Sequence, residues 1–462
     1  MAVVQEERDF ARSCAPKLQE ERSQDKRGGG GGGGGCGCSG SRDGELLLDE
    51  RNLNEILLRR LAGKEFQLAN WSIEPLSETN GHLGKYYYIN AAVRLANGSS
   101  RKLRFFAKTP PSESSSQYKF LTRYDTFGKE VAMYTDLLRE MGRGKRGKWA
   151  VDCYLSEGNW LIVLEDATSD GYDMPDKRIP FDWERCVLGL KALSSLHSRS
   201  LILDEKLRRS GRSIHQLYGH LLKEVLFVDA DQRSRKLLSA SIAGSWAMVD
   251  LLDHLGNEEK ARVKGRIDRW SSKISQLLMP SKRHRNVVCH RDLWANNIMF
   301  KLDSTAKPVG CYLVDFQFFC LAPPTIDVAC FLYLTTDRST RDRYFDSFVK
   351  IYYDAFETSL ADENLDIRQY YPWESFLESL EEARSIAIIY ATLNLQIMLM
   401  SREKVEEYFG ESTREDLEEI LYSDKRADLV GELFKTSPFY RERNTEVILD
   451  VRDRLPDYPP DV

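Results

Sequence analysis

The stretch CHRDLWANNIMF, residues 289–300, places a loop rich in charged and amide side chains directly before an apolar, strand-like run. A second strand-like run, CYLVDF, follows at 311–316 after KLDSTAKPVG, in which Pro308 and Gly310 are interpreted as turn residues. If the two runs pair antiparallel, Asn297 at the start of one lies beside Asp315 at the end of the other. Together with Asp292 in the loop, three oxygen-bearing side chains then meet at one rim.

This combination of side chains is the one that phosphoryl transfer requires. Mg²⁺ prefers hard oxygen ligands, so Asn297 and Asp315 are predicted metal ligands. A separate carboxylate must accept the proton of the attacking hydroxyl, and Asp292 is the predicted base. His290 completes the match to the pattern H-R-D-L-x-x-x-N and is assigned to the catalytic set with Asp292. A simple turn cap is the alternative, but it does not explain Asp315, a carboxylate at the end of an apolar strand.

Partners for a nucleotide occur upstream in the order that this chemistry needs. Lys108 lies in the strand-like FFAKTP and Glu130 in the helical FGKEVAMY. We interpret them as a lysine that holds phosphate groups of ATP and the acid that positions it. Backbone N–H groups of the turn at 79–84 are predicted to contact the phosphates, which assigns Asn80, Gly81 and Gly84 to the same site.

The pattern along the chain predicts an α+β, two-lobed fold. Residues 1–43, with eight consecutive glycines, are predicted to be a disordered tail. Residues 44–166 contain a helix that begins near Leu46, a second helix over roughly 126–141, and several strand-like runs, which predict a small antiparallel sheet. Residues 167–462 are mostly helical, interrupted by the hairpin that carries the catalytic loop.

Composition narrows the functional classes. A net charge of -5 over 462 residues gives no basic field for nucleic acid. The N-terminus lacks the apolar core of a signal peptide, and the longest apolar run, 386–400, contains polar residues, so no membrane span is predicted. The nine cysteines show no disulfide-like spacing, which favours the cytoplasm. No obligate protein partner is evident.

The segment after Asp315 argues against a protein kinase. Phe316-Gln317 replaces the Phe-Gly of that family, and no A-P-E follows within the short segment to Asp327. Long helical segments flank the hairpin instead and can enclose a small substrate that carries a hydroxyl. A protein Ser/Thr kinase and a nucleotide-binding pseudoenzyme that acts as a scaffold are kept as alternatives.

Over roughly residues 50–450 the chain resembles the ecdysteroid kinase-like kinases of insects, within the choline kinase and aminoglycoside phosphotransferase superfamily. The anchors of this resemblance are the following: Lys108 with Pro110-Pro111, Phe127-x-x-Glu130-x-x-x-Tyr134, Leu164-Glu165-Asp166 with Gly171-Tyr172, Leu196-His197, His290-x-Asp292-Leu-Trp294-x-Asn296-Asn297, and Val314-Asp315-Phe316-Gln317 with Asp327.

The resemblance implies a kinase-like fold and transfer of the γ-phosphate of ATP, with Mg²⁺, to a hydroxyl of a small lipophilic molecule such as an ecdysteroid or xenobiotic alcohol. It implies that Glu165, Asp166 and Ala167 form the hinge whose backbone contacts adenine. It also implies that Asp327 braces the catalytic loop without taking part in the chemistry.

Two positions stay open. The family usually has Gly where this chain has Arg291, and the side chain of Arg291 either pairs with an acid such as Asp327 or faces the acceptor. Trp294 either lines the acceptor pocket or packs beneath the loop.

Overall fold

The N-terminal part of the chain forms an antiparallel sheet in the computed structural model, which describes residues 47–76, 84–409 and 414–460. The predicted tail at 1–43 and the predicted phosphate-contacting residues Asn80 and Gly81 lie outside the described residues. Five strands pair in the order β1-β2-β3-β5-β4: β1 (Phe66–Pro75), β2 (Lys85–Leu95), β3 (Ser100–Thr109), β4 (Cys153–Glu157) and β5 (Leu161–Glu165). The sequence predicted the other four strands but missed β4.

Strand β3 has two differently used faces because successive side chains of a strand point to opposite sides. Phe105 and Ala107 pack in the core beneath helix α1 (Glu50–Arg60), which Asp49 caps with its side chain. Phe106 and Lys108 point to the other side, toward the helical part of the chain. This alternation places a lysine inside the molecule instead of in solvent.

The helix that carries Glu130 contains a break in its regular geometry. Helix α2 (Ser116–Tyr124) precedes it, and α3 (Thr126–Ala132) passes through a π-helical segment, Met133–Leu137, into α4 (Leu138–Met141). The sequence predicted one regular helix over roughly 126–141. A π segment adds one residue to a turn and rotates the helix surface that follows it, so the side chains before and after it face different neighbours.

The second part of the chain is mostly helical, as predicted. Its largest elements pack around one extensive apolar core. The helices are α5 (Trp183–Arg209), α6 (Ile214–Tyr218), α7 (Gln232–Asp250), α8 (Asn257–Ser271), α9 (Ile274–Leu277), α10 (Pro324–Thr335), α11 (Arg338–Ala361), α12 (Trp373–Met398), α13 (Arg402–Phe409), α14 (Arg414–Tyr422), α15 (Lys425–Thr436) and α16 (Pro438–Arg454).

Short strands carry the catalytic loop at the boundary between the two parts. Strand β8 (Ile298–Leu302) pairs antiparallel with β9 (Pro308–Leu313), and β6 (Tyr172–Asp173) adds a third strand. A separate pair joins β7 (Val287–Cys289) to β10 (Cys320–Ala322). The predicted hairpin is therefore confirmed.

The expectation that Pro308 and Gly310 form the hairpin turn is wrong. Both lie in β9, and the turn precedes them, with Ala306 at φ 61°. Gly310 serves packing instead, because a Cβ there would lie 2.6 Å from the hydroxyl oxygen of Tyr172. The missing side chain allows Tyr172 to lie flat on the strand, stacked on Tyr312 at 4.0 Å between ring centroids.

The described residues belong to one compact unit, and the predicted α+β architecture is confirmed. Within them, no single helix has the length and apolar character needed to cross a membrane; α12 and α13 meet those limits only as a pair, which is bent by 83°.

Candidate active site

Lys108 lies at the centre of a buried charge cluster. Its Nζ donates to Oε2 of Glu130 at 2.6 Å and to Oδ1 of Asp315 at 3.1 Å. Lys108 and Glu130 are almost fully buried, whereas the Asp315 side chain keeps 24% of its surface exposed. Folding thus brings together the predicted ion pair and a predicted metal ligand, from a strand, a helix and the end of the hairpin.

Burial and charge act in opposite directions on this cluster. Burial lowers the pKa of Lys108, but the carboxylates of Asp315 and Glu130 more than offset this effect, so the pKa lies well above its ordinary value. Burial raises the pKa of Glu130, and the Lys108 ammonium opposes that rise. Lys108 therefore stays cationic at neutral pH and is suited to bind phosphate oxygens.

Asp292 and Asn297 form the second polar cluster of the same cavity. The Asn297 Nδ2 donates to Oδ2 of Asp292 at 2.7 Å and to its main-chain oxygen at 2.9 Å. Burial, reinforced by the negative charge of Asp315, raises the pKa of Asp292 to about 7. A carboxylate with a pKa near neutrality is matched to accept a proton from a hydroxyl group.

The donor atoms at this rim fit a divalent cation. Because Asn297 turns its Nδ2 toward Asp292, its Oδ1 is left to bind another partner, and Asp315 contributes a partly exposed carboxylate. Amide and carboxylate oxygens are the ligands that Mg²⁺ takes in proteins. Asn297 and Asp315 are thus suited to the role that the sequence predicted for them.

Asp327 holds the main chain of the catalytic loop. Its Oδ2 accepts from the backbone N–H of His290 at 2.5 Å, and its Oδ1 accepts from that of Arg291 at 3.1 Å. His197 lies 3.2 Å from the same carboxylate. Burial alone would raise the pKa of Asp327, but the hydrogen bond and charge of His197 keep it below its ordinary value. The geometry agrees with the bracing role that the resemblance implied.

The assignment of His290 to the catalytic set needs correction. Its Nε2 lies 3.0 Å from the carbonyl oxygen of Val314, and its Nδ1 accepts from the backbone N–H of Asp292 at 3.3 Å. The ring is fully buried and packs against Phe316. With both nitrogens bound to main-chain groups, the imidazole has no atom left for substrate. His290 is a positioning residue that fixes the backbone on either side of the active carboxylates.

The backbone is strained at both ends of the catalytic segment. Arg291 has φ 71° and Asp315 has φ 64°, in the left-handed region that side chains other than glycine rarely adopt. Such conformations cost on the order of 1–3 kcal/mol each and persist where surrounding contacts enforce them. Here those contacts include the hydrogen bond from the Arg291 backbone N–H to Asp327 and the hydrogen bond from Lys108 to Asp315. The strained residues therefore lie beside Asp292 and at Asp315, the two carboxylates of the candidate site.

The predicted hinge lies along the edge of the same cavity. Glu165, Asp166 and Ala167 all line it. The Asp166 carboxylate accepts from the backbone N–H of Thr168 at 3.1 Å and from Nε of Arg104 at 2.5 Å. Protein groups therefore already use the Asp166 side chain. Contact with adenine stays a prediction.

Gly84 is the described member of the predicted phosphate-contacting turn. A Cβ at this position would lie 3.2 Å from the carbonyl oxygen of Thr109 and 3.4 Å from Cε of Lys108. The backbone of Gly84 therefore lies directly against Lys108. Contact of Gly84 with phosphate groups stays a prediction.

The cavity, of about 400 Å³, has two contrasting halves. We call the part around Lys108, Glu130, Asp292, Asn297 and Asp315 the charged half. The apolar half is walled by helices α2, α7 and α12 to α15 and by the segment between α6 and α7. Its lining residues are Phe120, Leu226, Phe227, Leu237, Ser241, Tyr390, Asn394, Ile397, Met398, Phe409, Leu417, Leu421 and Arg426.

Comparison with known families decides the kinship of the chain. The model of the ecdysteroid kinase-like family matches residues 80–365, more than half of the chain. This protein belongs to the ecdysteroid kinase-like family. The resemblance and the kinase-like fold predicted from the sequence are therefore confirmed. All predicted site residues lie within the match, whereas Tyr390, Ile397 and Arg426 of the apolar half lie beyond it.

Two solved structures show more distant similarity. One is the GDP and kanamycin complex of APH(2")-IIia, with 12% identity and a TM-score of 0.34, covering 82% of this chain and 99% of that one. The other is the microcompartment-associated aminopropanol kinase, with 12% identity and a TM-score of 0.36, covering 85% and 99%. No curated protein matches the chain.

In this ecdysteroid kinase-like chain, Arg291 pairs with a residue that the sequence did not point to. Its Nη2 lies 3.2 Å from Oε2 of Glu224, and both side chains are buried. The other oxygen of Glu224 accepts from the backbone N–H groups of Leu226 at 2.8 Å and Phe227 at 3.3 Å. Of the two expected alternatives, Arg291 thus pairs with an acid, but the acid is Glu224 and not Asp327. The pair ties the catalytic loop to the wall of the apolar half.

Trp294 combines both of the placements considered for it. It is buried beside the catalytic loop, and it also lines the cavity. The Lys177 ammonium lies 5.6 Å from the centre of its ring. Trp294 therefore belongs both to the catalytic loop and to the lining of the cavity.

Glu224 and Arg426 were missed because neither lies in a motif. Glu224 lies in the segment between α6 and α7, and Arg426 lies in the first turn of a helix whose sequence has an ordinary amphipathic pattern. The one available signal was indirect: an arginine directly after His290, inside the catalytic loop, requires a buried counter-charge.

Proposed function

We propose that this protein transfers the γ-phosphate of ATP to a hydroxyl group of a small lipophilic molecule, such as an ecdysteroid or a xenobiotic alcohol. One observation carries this proposal: Lys108, Asp292, Asn297 and Asp315 line a single cavity whose other half is apolar and walled by helices. A phosphoryl-transfer cluster beside an enclosed apolar pocket suits a lipophilic acceptor.

The residues of the charged half then have the following roles. Lys108, positioned by Glu130, binds phosphate oxygens of the nucleotide. Asn297 and Asp315 hold Mg²⁺, which neutralises the charge of the phosphate groups when bound. Asp292 accepts the proton of the acceptor hydroxyl as it attacks the γ-phosphorus, and Asn297 keeps the base oriented through its Nδ2. The bond between the γ-phosphorus and the oxygen that bridges it to the β-phosphate breaks, and ADP leaves.

The short connection after the hairpin supports a small acceptor over a peptide. Between Asp315 and the start of α10 at Pro324 the chain forms only the three-residue strand β10. This strand pairs with β7 in the interior, so it offers no surface along which a peptide substrate could lie. Helices of the second part of the chain instead line the cavity that also contains Asp292.

The test is transfer of labelled γ-phosphate from Mg²⁺-ATP to a panel of hydroxylated steroids, plant phenolics and amino alcohols. We expect acceptor-dependent product with the wild-type protein and none above background with Asp315→Asn. Asp346→Asn, which changes an exposed aspartate of α11, is the matched control and should retain activity. Phosphorylation of a generic protein substrate without any small-molecule product, or full activity of Asp315→Asn, contradicts the proposal.

A further inference from the structure

Buried arginines in this protein are usually paired with an acid. Three of them have a carboxylate within ion-pair distance: Arg291 with Glu224 at 3.2 Å, Arg341 with Asp450 at 2.8 Å, and Arg443 with Glu446 at 2.9 Å. Arg426, only 2% exposed, has no such partner among residues 47–76, 84–409 and 414–460. An uncompensated buried charge is costly, so its presence calls for an explanation.

The contacts of Arg426 leave part of its guanidinium unused. Its Nε donates to Oε1 of Gln396 at 2.9 Å, and its Nη2 donates to the carbonyl oxygen of Leu393 at 2.7 Å. Gln396 is itself fixed, because its Nε2 donates to the main-chain oxygen of Ser241 at 2.9 Å. Nη1 makes no hydrogen bond within the part of the chain that the structure describes.

Burial lowers the pKa of Arg426 to about 10, so the side chain remains charged at neutral pH. A core role that joins α12 to α15 accounts for Nε and Nη2. It does not account for a full positive charge, because both of its partners are neutral oxygens.

Arg426 lines the cavity, and its position there is electrostatically isolated. The other charged side chains that line the cavity belong to the sheet, the hinge, strand β6, helix α3 and the hairpin. Among the described lining residues contributed by the helices of the apolar half, Arg426 is the one charged side chain.

Helix α12 connects this arginine to the catalytic loop. The Tyr390 hydroxyl donates to the main-chain oxygen of Arg291 at 3.2 Å, which fixes one point of the helix beside the loop. Gln396, which holds Arg426, lies six residues further along the same helix. At about 1.5 Å per residue, the two points are separated by about 9 Å along the helix axis.

We infer that Arg426 binds an anionic oxygen group of the acceptor, so that the natural acceptor is an apolar molecule with a hydroxyl at one end and a carboxylate or similar anion at the other. This inference rests on the proposed function and specifies its substrate class. The hydroxyl lies at Asp292, the apolar body contacts the helical walls, and the anion receives a charge-assisted hydrogen bond from Nη1.

The test compares binding of ω-hydroxydecanoate and its methyl ester to the full-length protein by isothermal titration calorimetry. The two probes differ only in the anionic end, and their flexible chain adapts to the cavity. We expect the acid to bind about ten- to a hundredfold more tightly than the ester, because a hydrogen bond to a charged group contributes about this much. Arg426→Met should abolish the preference, and Arg426→Lys should retain part of it.

Arg441→Met removes an exposed arginine of the neighbouring helix α16 and should leave the preference unchanged. Equal binding of acid and ester to the wild-type protein, no binding of either, or an unchanged preference in Arg426→Met overturns the inference. The comparison of acid and ester binding to the wild-type protein tests the inference even if Arg426→Met does not fold. Turnover of neutral alcohols without a preference for an anion contradicts this inference and leaves the proposed function standing. Selective binding of the acid without any phosphoryl transfer contradicts the proposed function and leaves this inference standing.

Discussion

On the charged side of the cavity, side chains hold one another at hydrogen-bond distance, whereas on the apolar side helices face each other across a space lined by hydrocarbon. Lys108, Glu130 and Asp315 form one connected cluster, and Asp292 and Asn297 form another. Among the described residues that line the apolar half, Arg426 is the one charged side chain. The groups proposed to transfer phosphate are held by charges and hydrogen bonds, whereas the proposed acceptor pocket is shaped by apolar side chains of the helices. Substitutions can therefore change one half without changing the other.

Asp292→Asn gives the largest expected effect and tests whether the charged half alone performs the chemistry. Loss of the base should lower kcat by about 10²- to 10⁴-fold. Nucleotide affinity should change little, because Lys108 and Asp315 remain. Single-turnover transfer and ATP titration measure the two quantities, with Asp346→Asn as the control. A fall in ATP affinity equal to the fall in kcat would mean that Asp292 mainly holds the site together.

Glu224→Ala tests the link between the two halves. It leaves Arg291 buried without its counter-charge, and breaking a buried pair costs about 3–5 kcal/mol of unfolding free energy. Chemical denaturation measures this loss. The double variant Glu224→Met with Arg291→Met should recover much of it, because no lone charge remains. Additive losses in the double variant would show that the two side chains do not interact.

Lys108→Met should change nucleotide binding in the charged half without changing acceptor binding in the apolar half. Loss of a charged hydrogen-bond donor to phosphate should weaken ATP binding by about tenfold to a hundredfold, while acceptor binding is unaffected. Calorimetric titration with Mg²⁺-ATP and with an acceptor reports each half. Lys102→Met, which removes an exposed lysine of the same strand β3, is the control, and equal weakening in both variants would contradict a specific role for Lys108.

The pH profile of the wild-type protein tests the environment of Asp292. Its carboxyl must be deprotonated to accept a proton, and its pKa is raised to about 7 by burial and by Asp315. We therefore expect kcat/KM to be constant at high pH and to fall about tenfold per pH unit below the apparent pKa. Mg²⁺ bound nearby would move this limb to lower pH. A profile that stays flat down to pH 5 in low Mg²⁺ would contradict the raised pKa.

Ile397→Ala should give the smallest effect, confined to the apolar half. Enlarging the wall should shift the kcat/KM ratio between a bulky and a slim acceptor by about tenfold, the usual effect of a few methyl-sized groups in a pocket. The KM for ATP should stay constant. Val263→Ala, a buried change in α8 away from the cavity, should lower stability without altering the ratio. The same shift in both variants would mean that selectivity follows general loosening.

The same contrast explains what the sequence could predict. His290, Asp292, Asn297 and Asp315 lie in the catalytic loop and at the ends of the hairpin that follows it, so local spacing was enough to predict that the two acidic groups and the amide line one cavity. Lys108 and Glu130 follow in the order of a known pattern. The sequence did not reveal that His290 uses both nitrogens on main-chain groups, because the pattern gives its position and not its contacts.

The apolar half was not predictable, because it is assembled from segments far apart in the chain. Leu226, Tyr390, Phe409 and Arg426 carry no mutual spacing that marks them as neighbours, and helical periodicity explains each of them equally well as core. Strand β4 was missed for a related reason: its five residues, CYLSE, are short and mixed in polarity. Gly310 looked like a turn residue, and only its contact with Tyr172 shows why it lies within a strand.

The pairing of Arg291 with Glu224 has a consequence for control of this protein. In protein kinases the equivalent arginine often meets a phosphate group that other enzymes add and remove. Here the negative partner is part of the polypeptide, so no phosphatase can withdraw it. We therefore expect the catalytic loop to be held in its working arrangement as soon as the chain folds, and output to follow the abundance of the protein and the supply of its substrates.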